Sequence, residues 1–348
     1  MSKAISKVSV SMVPTLLALA LAGCGGGGSS SPAPAAAAAT VLAVSSSNSK
    51  PLTADALENA AGGDAAGVGA SLLTGVQVEG GGVAGAAPQL AAAAQKLASM
   101  VPAPASLATG VAVNKTVNCS GGGSLTITGN VSGASGLAAG DDVTVSASSC
   151  KELVDGVLET MSGSMRLQIT AGAVVDTTQY PYHVAKSIKA TNFSIVAGGV
   201  TNTTDGDLTL DVTANSATSQ VSILSSTSLS NSTTDSRGSR GAVLKNYKQT
   251  QTLQGTNSTS NVTATVESTN SRLGTGAVKY DMSTPTPLVT NTSTGAYTAG
   301  SMKIVGANSS LLVTVTGSNT FSIQVDADGD GTYEASSSAT LSELKALL

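Results

Sequence analysis

The segment Leu208-Thr209-Leu210-Asp211-Val212 alternates strictly between apolar and polar residues. This is the pattern of a β-strand with one buried face and one solvent-facing face. Buried parallel strands would instead appear as unbroken apolar runs, so the pattern favours an antiparallel sheet. The same alternation occurs in six other segments after Gly110: Leu125–Val131, Val143–Ser148, Met165–Ile169, Val262–Val266, Leu311–Thr316 and Phe321–Val325.

Turn-forming residues separate these runs at Asp155-Gly156, at Asp205-Gly206, at Gly317-Ser318 and in the Asp-Gly cluster after Val325. Short turns between successive strands predict hairpins, and hence one antiparallel β-meander of ten or more strands over residues 111–348. A sheet this wide is expected to curl into an open barrel or to fold into a sandwich. A parallel β-solenoid is the alternative, because Ser, Thr and Asn ladders suit it, although the chain has no fixed repeat period.

Helical signals occur on both sides of this mainly β region. Residues 51–110 are rich in Ala and Gly and contain two candidate helices, Thr53–Ala61 with Thr53 as the N-cap and Pro88–Val101. At the other end, Thr340-Leu341-Ser342-Glu343 has the form of a capping box. We therefore expect small N-terminal helical segments and a short C-terminal helix through Leu348.

The composition narrows the classes of partner. Charged residues make up 11% of the chain, aromatic residues make up 2%, and the formal net charge is −4. Charged residues are usually about 25% of a protein, so the polarity here comes mainly from Ser, Thr and Asn, which suit two-faced strands. The mild acidity predicts that nucleic acid is not a partner.

The N-terminus has the order of a secretory signal peptide. Lys3 and Lys7 precede an apolar run from Val8 to Ala20, which is shorter than the roughly 20 residues needed to cross a bilayer. The next four residues, Leu21-Ala22-Gly23-Cys24, resemble the lipobox of bacterial lipoproteins. The resemblance implies a diacylglycerol on the Cys24 thiol, cleavage before Cys24 and acylation of the new amino group. The alternative is an ordinary signal peptide followed by a chance Cys.

The lipobox resemblance also implies a location and a partner. Two or more acyl chains suffice for stable anchoring, so the membrane would hold the protein through its N-terminal lipid. Residues 1–23 would be the signal peptide, and residues 24–50, which are rich in Gly, Ser, Ala and Pro, would be a flexible tether. An Asp after the lipidated Cys favours the inner membrane. Gly25 therefore favours the outer membrane, with the domain on its periplasmic or surface side.

The three cysteines have separate expected roles. If Cys24 carries lipid, Cys119 and Cys150 remain as a pair in an oxidising compartment, which favours a disulfide. Such a bond would close a loop of about 32 residues and stabilise the fold by roughly 3 to 4 kcal/mol in the chain-entropy model. The alternatives are two free thiols or a metal site with two Cys ligands.

The segment Asp326–Glu334 resembles the first nine positions of an EF-hand or dockerin-type calcium loop. That resemblance implies oxygen ligands at alternate positions and a Gly at the sharp turn: Asp326, Asp328, Asp330, Gly331, the carbonyl of Thr332, and Glu334. The segment departs from the family at position twelve, where Ser337 replaces a bidentate Glu, and a strand precedes the loop. We expect at most weak calcium binding, in the millimolar class, and the alternative is a solvated acidic hairpin turn.

Three other groups of residues have both a functional and a structural interpretation. His183, the only histidine, could be a general base in an aromatic-lined cleft or could lie at a strand edge next to Pro181. Glu152 and Asp155 could serve glycoside hydrolysis if the fold brought them to the right separation. A basic cluster could bind lipid headgroups, lipopolysaccharide or an acidic polymer, or could be a solvated loop followed by a strand face: Arg237, Arg240, Lys245 and Lys248, with Tyr247 among them.

The sequence contains no recognisable catalytic motif such as a G-x-S-x-G elbow. We therefore expect a non-enzymatic envelope lipoprotein, a structural, adhesive or binding module with a glycan or a protein as partner. A carrier of apolar ligands in the cavity of the curled sheet is the first alternative. A cell-envelope hydrolase is the second.

Overall fold

The computed structural model describes residues 38–60, 111–132, 137–154, 157–173 and 180–348, which belong to one compact unit. The signal peptide, Cys24 and the candidate helix Pro88–Val101 lie outside the described residues.

The first eight strands are β1 (Thr40–Val41), β2 (Val111–Asn118), β3 (Ser124–Val131), β4 (Asp142–Val154), β5 (Val157–Ala171), β6 (Tyr182–Ala197), β7 (Val200–Ser216) and β8 (Ser219–Asp235). The others are β9 (Gly238–Gln254), β10 (Asn257–Ser268), β11 (Val278–Asn291), β12 (Ala296–Gly306), β13 (Ser309–Gly317), β14 (Thr320–Asp326) and β15 (Ala335–Thr340). The helices are α1 (Ser49–Ala60) and α2 (Leu341–Lys345).

The strands from β2 to β15 form one sheet in which each strand pairs antiparallel with the next in the chain. The short strand β1 lies off this path and pairs in parallel with β11. The predicted mainly β meander is confirmed, and the antiparallel pairing excludes a parallel solenoid for this region. The sheet is open, with β2 and β15 at its two edges, and it has one inner face that carries the buried side chains.

Bulges bend the longest strands without changing which face is buried. In β6, Val184, Ile188 and Ala190 are buried at even positions, and the next buried residue is Phe193. The extra residue is Asn192, which has a φ of +46° and lies where the register with β7 shifts. An added residue turns the strand so that its apolar side chains again point inward. Strands of 15 to 17 residues therefore follow the curvature of the sheet.

One predicted turn is wrong. Asp205-Gly206 lies inside β7, at a shift of register between β7 and β8, and does not join two strands. Gly206 has a φ of +126°, and a Cβ there would lie 2.2 Å from the carbonyl oxygen of Ser228. Asp-Gly suits a positive φ in a bulge as well as in a turn, so the dipeptide alone does not distinguish the two. The neighbouring Asp207 carboxylate accepts hydrogen bonds from the amides of Thr227 and Ser228.

Helix α1 begins at Ser49, four residues before the predicted N-cap. Thr53 lies inside the helix, where its hydroxyl donates to the carbonyl of Ser49 at 2.8 Å. Residues 38–50, expected in the tether, instead form β1 and the start of this helix. The physical reason is burial: Leu42 and Val44 are 7% and 2% exposed, and the amide of Leu42 donates to the carbonyl of Lys279 at 2.9 Å.

Two local predictions are confirmed. Cys119 and Cys150 form a disulfide with a Cα separation of 5.4 Å, which ties the turn after β2 to β4. The capping box at Thr340 is present: the Glu343 amide donates to the Thr340 hydroxyl at 3.3 Å, and the Thr340 amide donates to the Glu343 carboxylate at 2.7 Å. Helix α2 then ends at Lys345, three residues before the expected end.

Candidate metal centre

The loop between β14 and β15 brings together the four acidic residues that the sequence singled out. Asp326, Asp328, Asp330 and Glu334 each place a carboxylate oxygen within 4.8 Å of the others. Asp326 is the last residue of β14 and is buried, whereas the other three are exposed. Four acidic side chains are therefore concentrated at the end of the hairpin.

Asp326 holds the base of this loop. One of its oxygens accepts from the amide of Gly329 at 2.7 Å. The other accepts from the amide of Gly331 at 3.3 Å and from the hydroxyl of Ser310 at 3.2 Å. Two of these donors lie in the loop and the third lies on the neighbouring strand β13, so the carboxylate fixes the path of the backbone around it.

The other acidic side chains follow the turn. The Asp330 amide donates to Asp328 at 3.2 Å, and the Thr332 amide donates to Asp330 at 2.7 Å. Glu334 accepts from the amide of Ala327 at 2.9 Å, which closes the loop. A carboxylate has about four acceptor sites, so one hydrogen bond to each leaves oxygen lone pairs available for a cation.

The arrangement suits a hard divalent cation but supplies fewer ligands than a full calcium loop. Calcium takes six to eight oxygens, and the loop offers four carboxylates and the Thr332 carbonyl. Ser337, at the twelfth position, lies within β15 and pairs with Ile323, so it is part of the sheet. Water would have to complete the coordination shell.

A second polar centre lies beneath α1 and was missed by the sequence analysis. The Asp55 carboxylate is 4% exposed and accepts from three neutral donors: Tyr280 Oη at 2.7 Å, Ser268 Oγ at 3.0 Å and Asn270 Nδ2 at 3.2 Å. Burial raises the pKa of Asp55, although the hydrogen bonds oppose the rise. Burial also raises the pKa of Tyr280, and the adjacent carboxylate adds to this effect. No sequence spacing connects residues 55 and 280.

The predicted basic cluster is divided between both faces of the sheet. Arg237 and Arg240 both donate to Asp235, and the hydrogen bonds from Arg237 are the main reason that the pKa of Asp235 is lowered. Arg240 also lies 3.8 Å from Glu58, whose pKa burial raises to about 6. Lys245 and Glu267 are 2.6 Å apart. Tyr247 is buried on the inner face, where its hydroxyl donates to Gln249.

The remaining candidates do not form a shielded cleft. His183 is the second residue of β6, and its Nε2 lies 2.9 Å from an Asp211 oxygen, with both side chains about half exposed. Glu152 accepts from the amide and the hydroxyl of Ser120, and Asp155 lies outside the described residues. The pair suggested for glycoside hydrolysis is therefore not assembled among the residues that the structure describes.

Lys186 is a buried cation that the sequence analysis also missed. It is 3% exposed on the inner face of β6, and burial lowers its pKa to about 8. The signal was present, because strict alternation from Val184 to Ile188 puts position 186 on the buried face.

Comparisons with protein-family models, with curated proteins and with solved structures gave no match for this chain. Within the described ranges, no helix is long and apolar enough to cross a membrane.

Proposed function

We propose that this chain is an outer-membrane lipoprotein whose β-domain is a non-enzymatic binding module. The lipobox supports the anchor, and the way the chain enters the domain is compatible with it. Strand β1 runs parallel to β11 and starts beside its first residue, Val278, so the described part of the chain begins at this end of the sheet. A tether from Cys24 would join the domain at this exposed end.

The observation that carries the binding role is a shallow recess on the outer face of the sheet, lined by both apolar and polar residues. It has a volume of about 330 Å³ and lies across β9 to β12. Its wall includes five polar side chains that can exchange hydrogen bonds with the hydroxyl groups of a glycan or with a protein backbone: Asn246, Thr263, Thr265, Asp281 and Ser283.

The surrounding face is also polar. One continuous row of directly paired residues crosses eight strands: Gln168, Ser187, Thr209, Ser225, Lys248, Thr263, Ser283 and Lys303. Neighbouring strands lie about 4.8 Å apart, so the row presents hydrogen-bonding groups at a regular spacing. An extended polymer suits such a surface better than a small apolar molecule does.

We further propose that the loop from Asp326 to Glu334 binds calcium weakly. Four carboxylates with free lone pairs lie close together there, and a divalent cation would offset their mutual repulsion. The cation would stabilise the hairpin between β14 and β15. It has no role in chemistry in this account.

The two alternative functions have less support. The carrier needs an open interior, but α1 occupies part of the inner face, with Leu52 and Leu57 buried at 0% and 3% exposure. The hydrolase needs a shielded acid and base, and the pair of His183 and Asp211 lies half exposed on the outer face.

Two measurements test the proposal. Intact mass of membrane-extracted protein should show cleavage before Cys24 and added acyl mass, and the Cys24→Ala variant should leave the membrane fraction. A soluble, unacylated wild type would contradict the anchor.

For the binding role, the wild type should co-sediment with isolated peptidoglycan, and Thr263→Ala combined with Asp281→Ala should weaken this binding. Equal sedimentation of both proteins would exclude the recess as the site for that polymer.

A further inference from the structure

We propose that the recess on the outer face takes an acidic polysaccharide, whose carboxylates pair with Lys248 and Lys303 and whose hydroxyl groups bond to Asp281 between them. The inference rests on the proposed binding function and deepens it, because it assigns the class of ligand. A uronic acid polymer has this chemistry, since each of its sugar rings carries one carboxylate together with hydroxyl groups.

Two bulges shape the recess. In β9, Asn246 is an extra residue with a φ of +51°, at the point where the register with β10 shifts. In β11, the register with β10 shifts again between Ser283 and Leu288. Bulges increase the local twist of a strand and redirect its side chains. The depression is therefore built into the backbone, and Asn246 and Ser283 both line it.

Two lysines lie on opposite sides of this depression. Lys248 in β9 pairs directly with Thr263, which pairs with Ser283, which in turn pairs with Lys303 in β12. Neighbouring strands lie about 4.8 Å apart, so three spacings separate the two lysine backbones by about 14 Å. Both lysines alternate with buried residues along their strands, so they belong to the outer face with the recess.

The positive charge near the recess is available to a ligand. Across the described ranges, no acidic side chain lies within ion-pair distance of Lys248, Lys279 or Lys303. By contrast, Lys245 is held 2.6 Å from Glu267. The outer face of β9 to β12 carries four lysines and two acidic residues, Glu267 and Asp281, for a net charge of +2. The whole chain carries −4, so this face is the more suitable one for a polyanion.

Asp281 gives the recess a second kind of polar group. Its carboxylate is exposed and accepts a hydrogen bond from the Thr265 hydroxyl. A carboxylate has about four acceptor sites, so others remain for the hydroxyl groups of a sugar. Val305, which is 42% exposed, adds apolar surface that suits the C–H face of a sugar ring. A polyphosphate offers neither hydroxyl donors nor an apolar face, so the recess favours an acidic sugar polymer.

Calorimetric titration of the purified protein with two soluble oligosaccharides tests the class of ligand. Oligogalacturonate carries carboxylates, and its fully methyl-esterified form keeps the same sugar rings without the charge. EDTA in both titrations keeps divalent cations out of the loop from Asp326 to Glu334. The wild type should bind the acid form about tenfold more tightly than the ester, because charge-assisted hydrogen bonds are stronger than neutral ones. Equal affinities, or no binding of the acid form, would overturn the proposal.

Two double variants locate the charge effect. Lys248→Gln combined with Lys303→Gln should lower the affinity for oligogalacturonate about tenfold and leave the affinity for the ester unchanged. Lys115→Gln combined with Lys189→Gln is the matched control, because it removes the same charge from exposed positions on β2 and β6. The control should change the affinity by less than about twofold, since distant exposed charges are screened. Similar losses in both variants would mean that net charge attracts the polymer and would refute the assignment to the recess.

The ligand class and the binding function fail in different ways. Co-sedimentation with peptidoglycan tests whether the recess binds a polymer, and it does not depend on the oligosaccharide titrations. If that binding is present and the acid and ester forms bind equally, the acidic ligand is refuted and the binding function stands. If the wild type binds neither peptidoglycan nor either oligosaccharide, both proposals are refuted.

Discussion

Asp55 and Asp326 are each 4% exposed and each accept three hydrogen bonds, yet their surroundings differ in charge. Asp55 lies under α1 and accepts from Tyr280, Ser268 and Asn270, none of which is charged. Asp326 lies at the base of a hairpin loop and has three further carboxylates within 4.8 Å. Both carboxylates accept hydrogen bonds from three uncharged donors, but Asp326 also has three further acidic side chains beside it.

The difference indicates two roles for a buried acid. Hydrogen bonds to a buried carboxylate stabilise one arrangement of the chain. Those of Asp55 connect α1 to β11 and to the end of β10. Neighbouring carboxylates cannot satisfy one another without protons or a cation. We therefore propose that Asp326 both holds its loop and contributes a ligand to a metal ion, whereas Asp55 maintains the fold.

The largest effect is expected from Asp55→Ala. The substitution leaves the buried donors of Tyr280 and Asn270 without an acceptor and should lower the free energy of unfolding by about 3 kcal/mol. Asp55→Asn keeps the shape and one acceptor and should cost about 1 kcal/mol. Urea unfolding followed by circular dichroism measures both. Equal losses for the two variants would mean that the hydrogen bonds of Asp55 do not fasten α1.

The pH dependence extends the comparison to Glu58, one helical turn from Asp55. Its pKa of about 6 lies above its ordinary value of 4.5, so the folded protein binds this proton more tightly than the unfolded chain does. The resulting stability is fully present below pH 4.5 and is lost as the pH rises through 6, for a total of about 2 kcal/mol. The raised pKa of Asp55 acts in the same direction.

Urea midpoints between pH 4.5 and 7.5 measure this loss, and Glu58→Gln should make the profile flatter. A wild-type profile that rises over this range would show that Arg240 outweighs the burial of Glu58.

A smaller effect is expected from calcium. With a dissociation constant of about 1 mM, 10 mM calcium should stabilise the folded protein by about 1.4 kcal/mol. Asp326→Asn should abolish the gain, and Asp55→Asn should keep it. Thermal unfolding with and without calcium, with magnesium as the control ion, measures the difference. A gain that survives in Asp326→Asn would place the cation elsewhere.

The smallest effect is expected at Thr332, which would contribute only its carbonyl oxygen. Thr332→Ala keeps that carbonyl and the amide that donates to Asp330, so calcium affinity should change by no more than about twofold. A calcium titration followed through the melting temperature measures this change in affinity. A loss comparable to that of Asp326→Asn would mean that the threonine hydroxyl, and not the carbonyl, is the ligand.

Sequence periodicity revealed the faces of the strands but not their lengths. Alternation gives the buried side directly, so the meander and the burial of Phe321 and Val325 could be predicted. Bulges interrupt the alternation, which is why Asp205-Gly206 inside β7 looked like a turn between two strands. The number of cysteines, together with the expected oxidising compartment, predicted the bond between Cys119 and Cys150.

The two acidic sites also differ in how far they could be predicted from the sequence. The loop from Asp326 to Glu334 is local in sequence, so its spacing was readable before the fold was known. The centre around Asp55 joins residues more than 200 positions apart. Its helix begins at Ser49 because tertiary burial of Leu52 and Leu57 outweighs the local preference for Thr53 as a cap.

The most direct test of the distinction between the two carboxylates uses terbium luminescence. Tb³⁺ binds oxygen sites of the calcium type and emits when a nearby tyrosine absorbs, and Tyr333 lies within the loop. We expect terbium emission from the wild type, and calcium should displace the ion at roughly millimolar concentration. Asp330→Asn should abolish the emission, and Asp55→Asn should leave it intact. Emission that persists in Asp330→Asn, or that disappears in Asp55→Asn, would contradict the assignment of the cation to this loop.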